Sequence, residues 1–197
     1  GLADLVVLEM HAGSEYSYSP GAHYDSYSPP DGFETLRTNP ASEIGFTAVP
    51  KYGLEAEDYS WRLDRPQMWD RAIRQFAVDE GADAVIVHHP HIIQGVEIYN
   101  GKMIAHSLGN FIFDLNYAET YTSMILNAEA DESGFIGYTI APLYIDDYLT
   151  LPATGELGNY ILDYIAMRSR ELNTYVHVNQ ETHRAQVIMD TTTITTQ

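Results

Sequence analysis

Apolar positions along the chain fall into short β-branched runs divided by turn-prone residues, with two longer stretches at helical spacing. Residues 2–10, with Leu5, Val6, Val7 and Leu8 at their centre and His11-Ala-Gly-Ser after them, predict a buried strand. Asp64-Arg65-Pro66 reads as a helix start, with a capping carboxylate and a proline near the first turn. Trp69, Ala72, Ile73, Phe76 and Ala77 then recur at i, i+3, i+4, i+7 and i+8, which predicts one apolar helix face, and Gly81 predicts its left-handed cap. Ala84–Val87 predicts a short strand. Val96–Tyr99 and Lys102–Ala105 flank Asn100-Gly101, the pair that suits a type I′ hairpin turn.

Later in the chain, residues 123–130 and 135–145 predict strands, the second ending at Pro142 and the Asp146-Asp147 pair. Residues 159–172 predict a second amphipathic helix through Ile161, Leu162, Ile165 and Leu172. Two final strands are expected at 175–178 and 186–189, followed by a frayed Thr-rich tail over 190–197. Between the first strand and the first helix lies a different kind of sequence. Residues 20–63 hold Pro20, Pro29, Pro30, Pro40 and Pro50 and many tyrosines, without a sustained period, and predict a long acidic insertion. The helix-then-strand order points to an α/β fold. The whole of 1–197 is expected to be one domain that lacks its N-terminal part, because chains seldom open inside a core strand.

Composition narrows the function. Ten Lys plus Arg against 28 Asp plus Glu give a formal charge of −18. A chain this acidic offers few cations to displace counterions from phosphate, so no nucleic-acid partner is expected. Attraction to an anionic membrane surface is disfavoured for the same reason. Cysteine is absent, which excludes disulfides, thiolate metal sites and cysteine nucleophiles. No apolar run is long enough to cross a bilayer as a helix.

Candidate chemistry gathers at His88-His89-Pro90-His91, directly after a predicted strand, where an α/β sheet presents functional groups at its carboxyl edge. His89 and His91 flank one proline, so their imidazoles can converge if Pro90 sets the turn. Neutral imidazole suits Zn, Mn or Fe. His11 also follows a predicted strand, with Glu15 four residues on, and would share the crevice if the two strands are neighbours. Residue types alone leave two readings open, a metal site and a hydrogen-bonded histidine loop. His23, His177 and His183 are read as surface or hydrogen-bonded residues.

The stretch from Glu80 through His88-His-Pro-His91 to Lys102, followed by Ser107-Leu-Gly-Asn-Phe-Ile-Phe113, resembles the CapA family of poly-γ-glutamate capsule synthesis proteins, within the calcineurin-like metallophosphoesterase superfamily. The opening through His11-Ala-Gly-Ser-Glu15-Tyr16 looks like the same family's His-Trp-Gly-x-Glu-Tyr motif. The resemblance is close over about residues 2–19 and 64–114 and weaker through Asn173. It implies a four-layer α/β/β/α sandwich with a dinuclear centre of divalent ions (Mn, Zn or Fe) at the sheet edge. Carried over, His11, His89 and His91 would be metal ligands. His88 and Glu15 would stand near the site as candidate catalytic groups, and Asn110 would contact substrate or shape the turn.

Departures qualify the implication. Val87 and Ala12 stand where the family shows Gly and Trp, and the family's Gly-Asp, Gly-Asn-x-Glu and Asn-Asn-His motifs do not occur. Three functions stay open. One is a metal-dependent phosphoesterase-like hydrolase, should the N-terminal motifs exist upstream. The second is a module that binds an anionic polymer without turnover, and the third a structural cell-surface protein with an incomplete, inactive metal site. A second chain could complete the sheet. The resemblance also implies a cell-envelope or extracellular location.

Overall fold

The computed structural model describes residues 3–13, 67–113 and 118–189. The 20–63 insertion, Glu15 and the 190–197 tail lie outside these residues. The first sheet has the order β1-β2-β4-β3, with β1 at Val7–His11, β2 at Ala84–His88, β3 at Val96–Tyr99 and β4 at Lys102–Ala105. β1, β2 and β4 run parallel, and β3 folds back on β4. The expected hairpin turn is present, with φ of 50° at Asn100 and 75° at Gly101, the positive pair a type I′ turn requires.

β2 is apolar from Ala84 to Val87 because it is covered on both faces. Val85 and Val87 meet Ile104 of β4 and Val78 on one side, while Ala84 and Ile86 face the larger core on the other. α1, Gln67–Asp79, covers the first of these faces. It ends at Gly81 (φ 110°), where the Ala82 N–H reaches back to the Ala77 carbonyl at 3.0 Å in a Schellman closure.

Two expectations are corrected here. The first strand is not buried: Val6, Val7 and Leu8 are 49, 52 and 37% exposed. Among the described residues β1 pairs only with β2, and a sheet edge leaves its side chains uncovered. Nor is the inner face of α1 the apolar one expected. Ile73 and Phe76 are exposed, and the buried positions are Arg74 and Val78. A guanidinium answered by buried acceptors has displaced the hydrophobic stripe. The side chain of Trp69 lies outside the description.

The second sheet runs β5-β6-β9-β8, from β5 (Thr122–Asp131), β6 (Gly134–Asp146), β8 (Tyr175–Asn179) and β9 (Arg184–Ile188), with β7 (Leu149–Pro152) also paired to β6. β7 was not expected; it follows a tight turn at Asp147 and Tyr148, both with positive φ. α2 spans Gly155–Glu171 and starts earlier than predicted. The Thr154 side chain makes no cap bond, and the Gly155 N–H donates instead to His183 Nε2 at 3.0 Å. Ile161, Leu162 and Ile165 of α2 join Val96, Met103, Ile140 and Val187 in the main core. α2 is held on β3 where the Val96 N–H donates to Ser169 Oγ at 3.0 Å. The described residues thus form a mixed α/β fold of two sheets and two helices.

Candidate functional site

The parallel register that pairs His11 with His88 brings the carboxyl ends of β1 and β2 side by side. Both strands end in histidine, so the loops that follow open at one sheet edge. His89 Nδ1 lies 3.0 Å from His11 Nε2, with ring centroids 4.6 Å apart. The His91 ring stands 5.8 Å from that of His89 and 4.8 Å from that of Phe113. His11 and His89 therefore meet, with the His91 ring standing beside that of His89. Pro90 sets the turn, but at a conformational cost. His89 and His91 have φ of 90° and 61°, a region costing non-glycine residues about 1–3 kcal/mol each and concentrated at functional sites.

His88 is turned elsewhere. Its Nε2 lies 3.0 Å from Glu9 Oε1 on the neighbouring strand. A carboxylate only accepts, so Nε2 carries a hydrogen in this pair.

Asn110 acts on His91. Its Nδ2 donates to the His91 carbonyl at 3.1 Å and to the Thr120 carbonyl at 3.2 Å, which fixes which end of the amide is nitrogen. Its Oδ1 consequently faces His91 Nδ1 at 2.9 Å and accepts from it. His91 is thereby set as the Nδ1–H tautomer, with the lone pair on Nε2. Asn110 is itself held, because Ser123 Oγ donates to its carbonyl. Gly109 lets the chain through: at φ 79°, an added Cβ would lie 2.9 Å from the Thr122 carbonyl oxygen. Asn110 thus bonds the backbone at His91 and Thr120 and orients the His91 ring.

Sequence reasoning missed a buried polar group below this edge, made of Arg74, His106 and Glu97. Arg74 Nη1 is 2.9 Å from His106 Nδ1, and His106 Nε2 is 2.8 Å from Glu97 Oε2. Arg71 and Gln75 also donate to Glu97. Burial pushes the His106 imidazole down to about 4 against the pull of Glu97. Burial alone would raise Glu97, but hydrogen bonds from His106, Arg71 and Gln75 hold it at about 2. The available signal was weak, namely two arginines three apart within a helix and a glutamate inside an apolar hairpin strand.

The donor chemistry suits a divalent cation. The two nitrogens of His11 and His89 are hydrogen-bonded at 3.0 Å, one of them carrying the hydrogen. In a change of tautomer that frees both lone pairs they would be near enough to share one ion at the usual metal–nitrogen distance of about 2.0–2.1 Å. A third imidazole has its tautomer fixed by an outer partner, the common arrangement for metal-binding histidine. Among the described residues, however, no three His, Asp or Glu side chains form a group able to hold an ion by themselves.

Fold and site together define an α/β protein with a histidine cluster at the carboxyl edge of a parallel sheet. Residues 60–115 match the family model described as bacterial capsule synthesis protein PGA_cap. The PGA biosynthesis protein CapA of Bacillus subtilis is 32% identical over 87 residues, 44% of this chain and 23% of that protein. The capsule biosynthesis protein CapA of Bacillus anthracis is 32% identical over 94 residues, 48% of this chain and 23% of that protein. The uncharacterized protein y4sH of Sinorhizobium fredii is 41% identical over 51 residues, 26% of this chain and 11% of that protein. The chain is thus similar to CapA proteins over the matched segment, and it spans about a quarter of the length of the CapA relatives it matches.

Proposed function

We propose that this chain carries part of a CapA-like, metallophosphoesterase-type domain that acts in capsule or poly-γ-glutamate synthesis, with His11, His89 and His91 as ligands to a divalent ion. The observation that carries the reading is the convergence of His11 and His89 beside a His91 oriented by Asn110. Further ligands would come from outside the described residues, and the complete fold would be a four-layer sandwich.

A divalent ion bound here would supply Lewis-acid polarisation of a phosphoryl or carbonyl oxygen. The protein's own residues supply orientation and proton handling. Asn110 keeps His91 in one tautomer, and the rigid Pro90 turn keeps His89 and His91 at fixed separation. His88 holds a proton at Nε2 against Glu9 at 3.0 Å, turned away from the other histidines. The substrate class is a phosphoester or an anionic polymer. A chain at −18 would repel a polyanion unless metal ions or a local basic patch bridge the two. Among the described residues no helix is long and apolar enough to cross a membrane. The names of the relatives favour action at the cell envelope.

Metal analysis of the full-length protein, purified without chelator and equilibrated with Mn²⁺ or Zn²⁺, tests this reading. At least one equivalent in the wild type and a loss in His89→Ala is the expected result. Less than one equivalent in the wild type overturns it and leaves the structural or polymer-binding alternatives. Turnover of a generic phosphodiester, lost in His89→Ala, would separate hydrolysis from binding alone.

A further inference from the structure

The buried polar chain under the sheet edge has a direction and an end point. Arg74 is 1% exposed and His106 is fully buried. A guanidinium only donates, so His106 Nδ1 must accept from Arg74, and Nε2–H must donate to the Glu97 carboxylate. Glu97 is in turn anchored by Arg71 Nη2 at 2.7 Å and Gln75 Nε2 at 2.8 Å. Every bond in the chain can therefore be made in only one sense.

Its other end reaches the histidine loops. Arg74 Nη2 donates to the Ala12 carbonyl at 3.4 Å. It also lies against Gly13, where an added Cβ would fall 2.7 Å from it. The same Cβ position is 3.5 Å from Pro90 Cγ, so Gly13 is wedged between the guanidinium and the turn carrying His89 and His91. Ala12 and Gly13 directly follow His11. Burying this arginine is costly: its Nε has no hydrogen-bond partner, and burial lowers its pKa to about 10 while leaving it charged at neutral pH. A well-packed leucine would fill the position more cheaply, and the arginine's contribution is the fixed geometry of the 12–13 turn.

We propose that Arg74, itself held by His106 and Glu97, is a positioning residue that fixes the Ala12–Gly13 turn and thereby directs His11 at His89. The functional meaning rests on His11 being a metal ligand, whereas the geometric content does not require metal.

The test uses the full-length protein with two variants, Arg74→Met and Gly13→Ala, which disturb the same contact from opposite sides. Long-range ¹H–¹⁵N correlations of the imidazole rings are recorded without metal, and Co²⁺ is then titrated by visible absorption. Displaced His11 and His89 resonances are expected in both variants, with Co²⁺ affinity reduced about tenfold or more and an altered cobalt spectrum. Arg74→Lys should restore part of each effect. Wild-type imidazole resonances in folded variants would overturn the inference. If Arg74→Met does not fold, Arg74→Gln decides, because Gly13 has φ 115° and an alanine there strains the turn by itself. Should the wild type itself bind no Co²⁺, the metal reading falls, and the metal-free imidazole resonances still decide the role of Arg74.

Discussion

His11 Nε2 and His89 Nδ1 lie 3.0 Å apart although 78 positions separate the residues in the chain. The contact depends on the register of β1 against β2, because a slip of one residue would turn the strand's side chains to the opposite face.

If one ion joins these two nitrogens, removing either imidazole removes most of what the pair provides. His11→Ala and His89→Ala should each lower metal content by a similar amount, and the double variant should be little worse than either. Residues that act on one ligand are expected to show such coupling. Metal analysis and calorimetric titration of the three variants check this, and independent, additive losses would contradict a shared ion.

Asn110 combines two tasks that substitution can separate. Asn110→Leu removes the His91 Nδ1–H partner and leaves the His91 and Thr120 carbonyls without their donor. We expect a loss of roughly 1–3 kcal/mol in stability and about 10–100-fold in metal affinity. Asn110→Asp keeps an acceptor for His91 but turns an oxygen towards two carbonyls. It should be destabilised to a similar degree while losing less metal affinity. Urea unfolding beside metal titration distinguishes the two effects.

The buried group predicts how stability depends on pH. Folding lowers His106 from 6.5 to about 4 and Glu97 from 4.5 to about 2. In both cases the unfolded chain binds protons that the folded protein refuses, so stability is complete above pH 6.5 and falls as pH drops. The first loss, between about pH 6.5 and 4, belongs to His106 and is of the order of 3 kcal/mol. The second, between about pH 4.5 and 2, belongs to Glu97. In His106→Gln an amide oxygen can accept from Arg74 and an amide nitrogen can donate to Glu97, with nothing left to titrate. Denaturant midpoints of that variant should vary less across pH 4–6.5. An unchanged slope there would sink the assignment.

Two glycines should differ sharply when changed to alanine. At Gly95 an added Cβ would lie 2.7 Å from the Arg168 carbonyl carbon and oxygen, and backbone cannot swing aside. Gly95→Ala should push α2 off β3 and cost about 1–3 kcal/mol. Gly81 has open space around it, so Gly81→Ala meets only the strain of φ 110° and should cost roughly 1 kcal/mol. Thermal unfolding of the pair tests the contrast.

What could be read from the sequence followed local chemistry. Asn100-Gly101 announced its turn, and the β-branched Ala84–Val87 run announced a short strand. The meeting of His11 with His89 needed only the assumption that their strands are neighbours. Arg74 was not legible, because a hydrophobic count assigns a guanidinium to the outside. Its burial depends on His106 and Glu97, 32 and 23 residues further along the chain. The exposure of Val7 and Leu8 was hidden for a related reason, since edge position belongs to the topology of the sheet. β7 escaped notice because four residues ending in Pro152 carry too little pattern.

The exposed edge strand has a consequence for how the site comes apart. Among the described residues the ties of β1 to the body include its ladder to β2, the backbone exchange of Val6 with Asp83, the Glu9–His88 and His11–His89 contacts and the reach of Arg74 to Ala12. Strands with few buried contacts open locally at a free energy well below that of global unfolding. His11 rides on that strand, whereas His89 and His91 sit on a loop rooted in the core. The histidine cluster is therefore expected to come apart first by opening of β1, which amide hydrogen exchange would show as weaker protection at residues 7–11 than at 84–88.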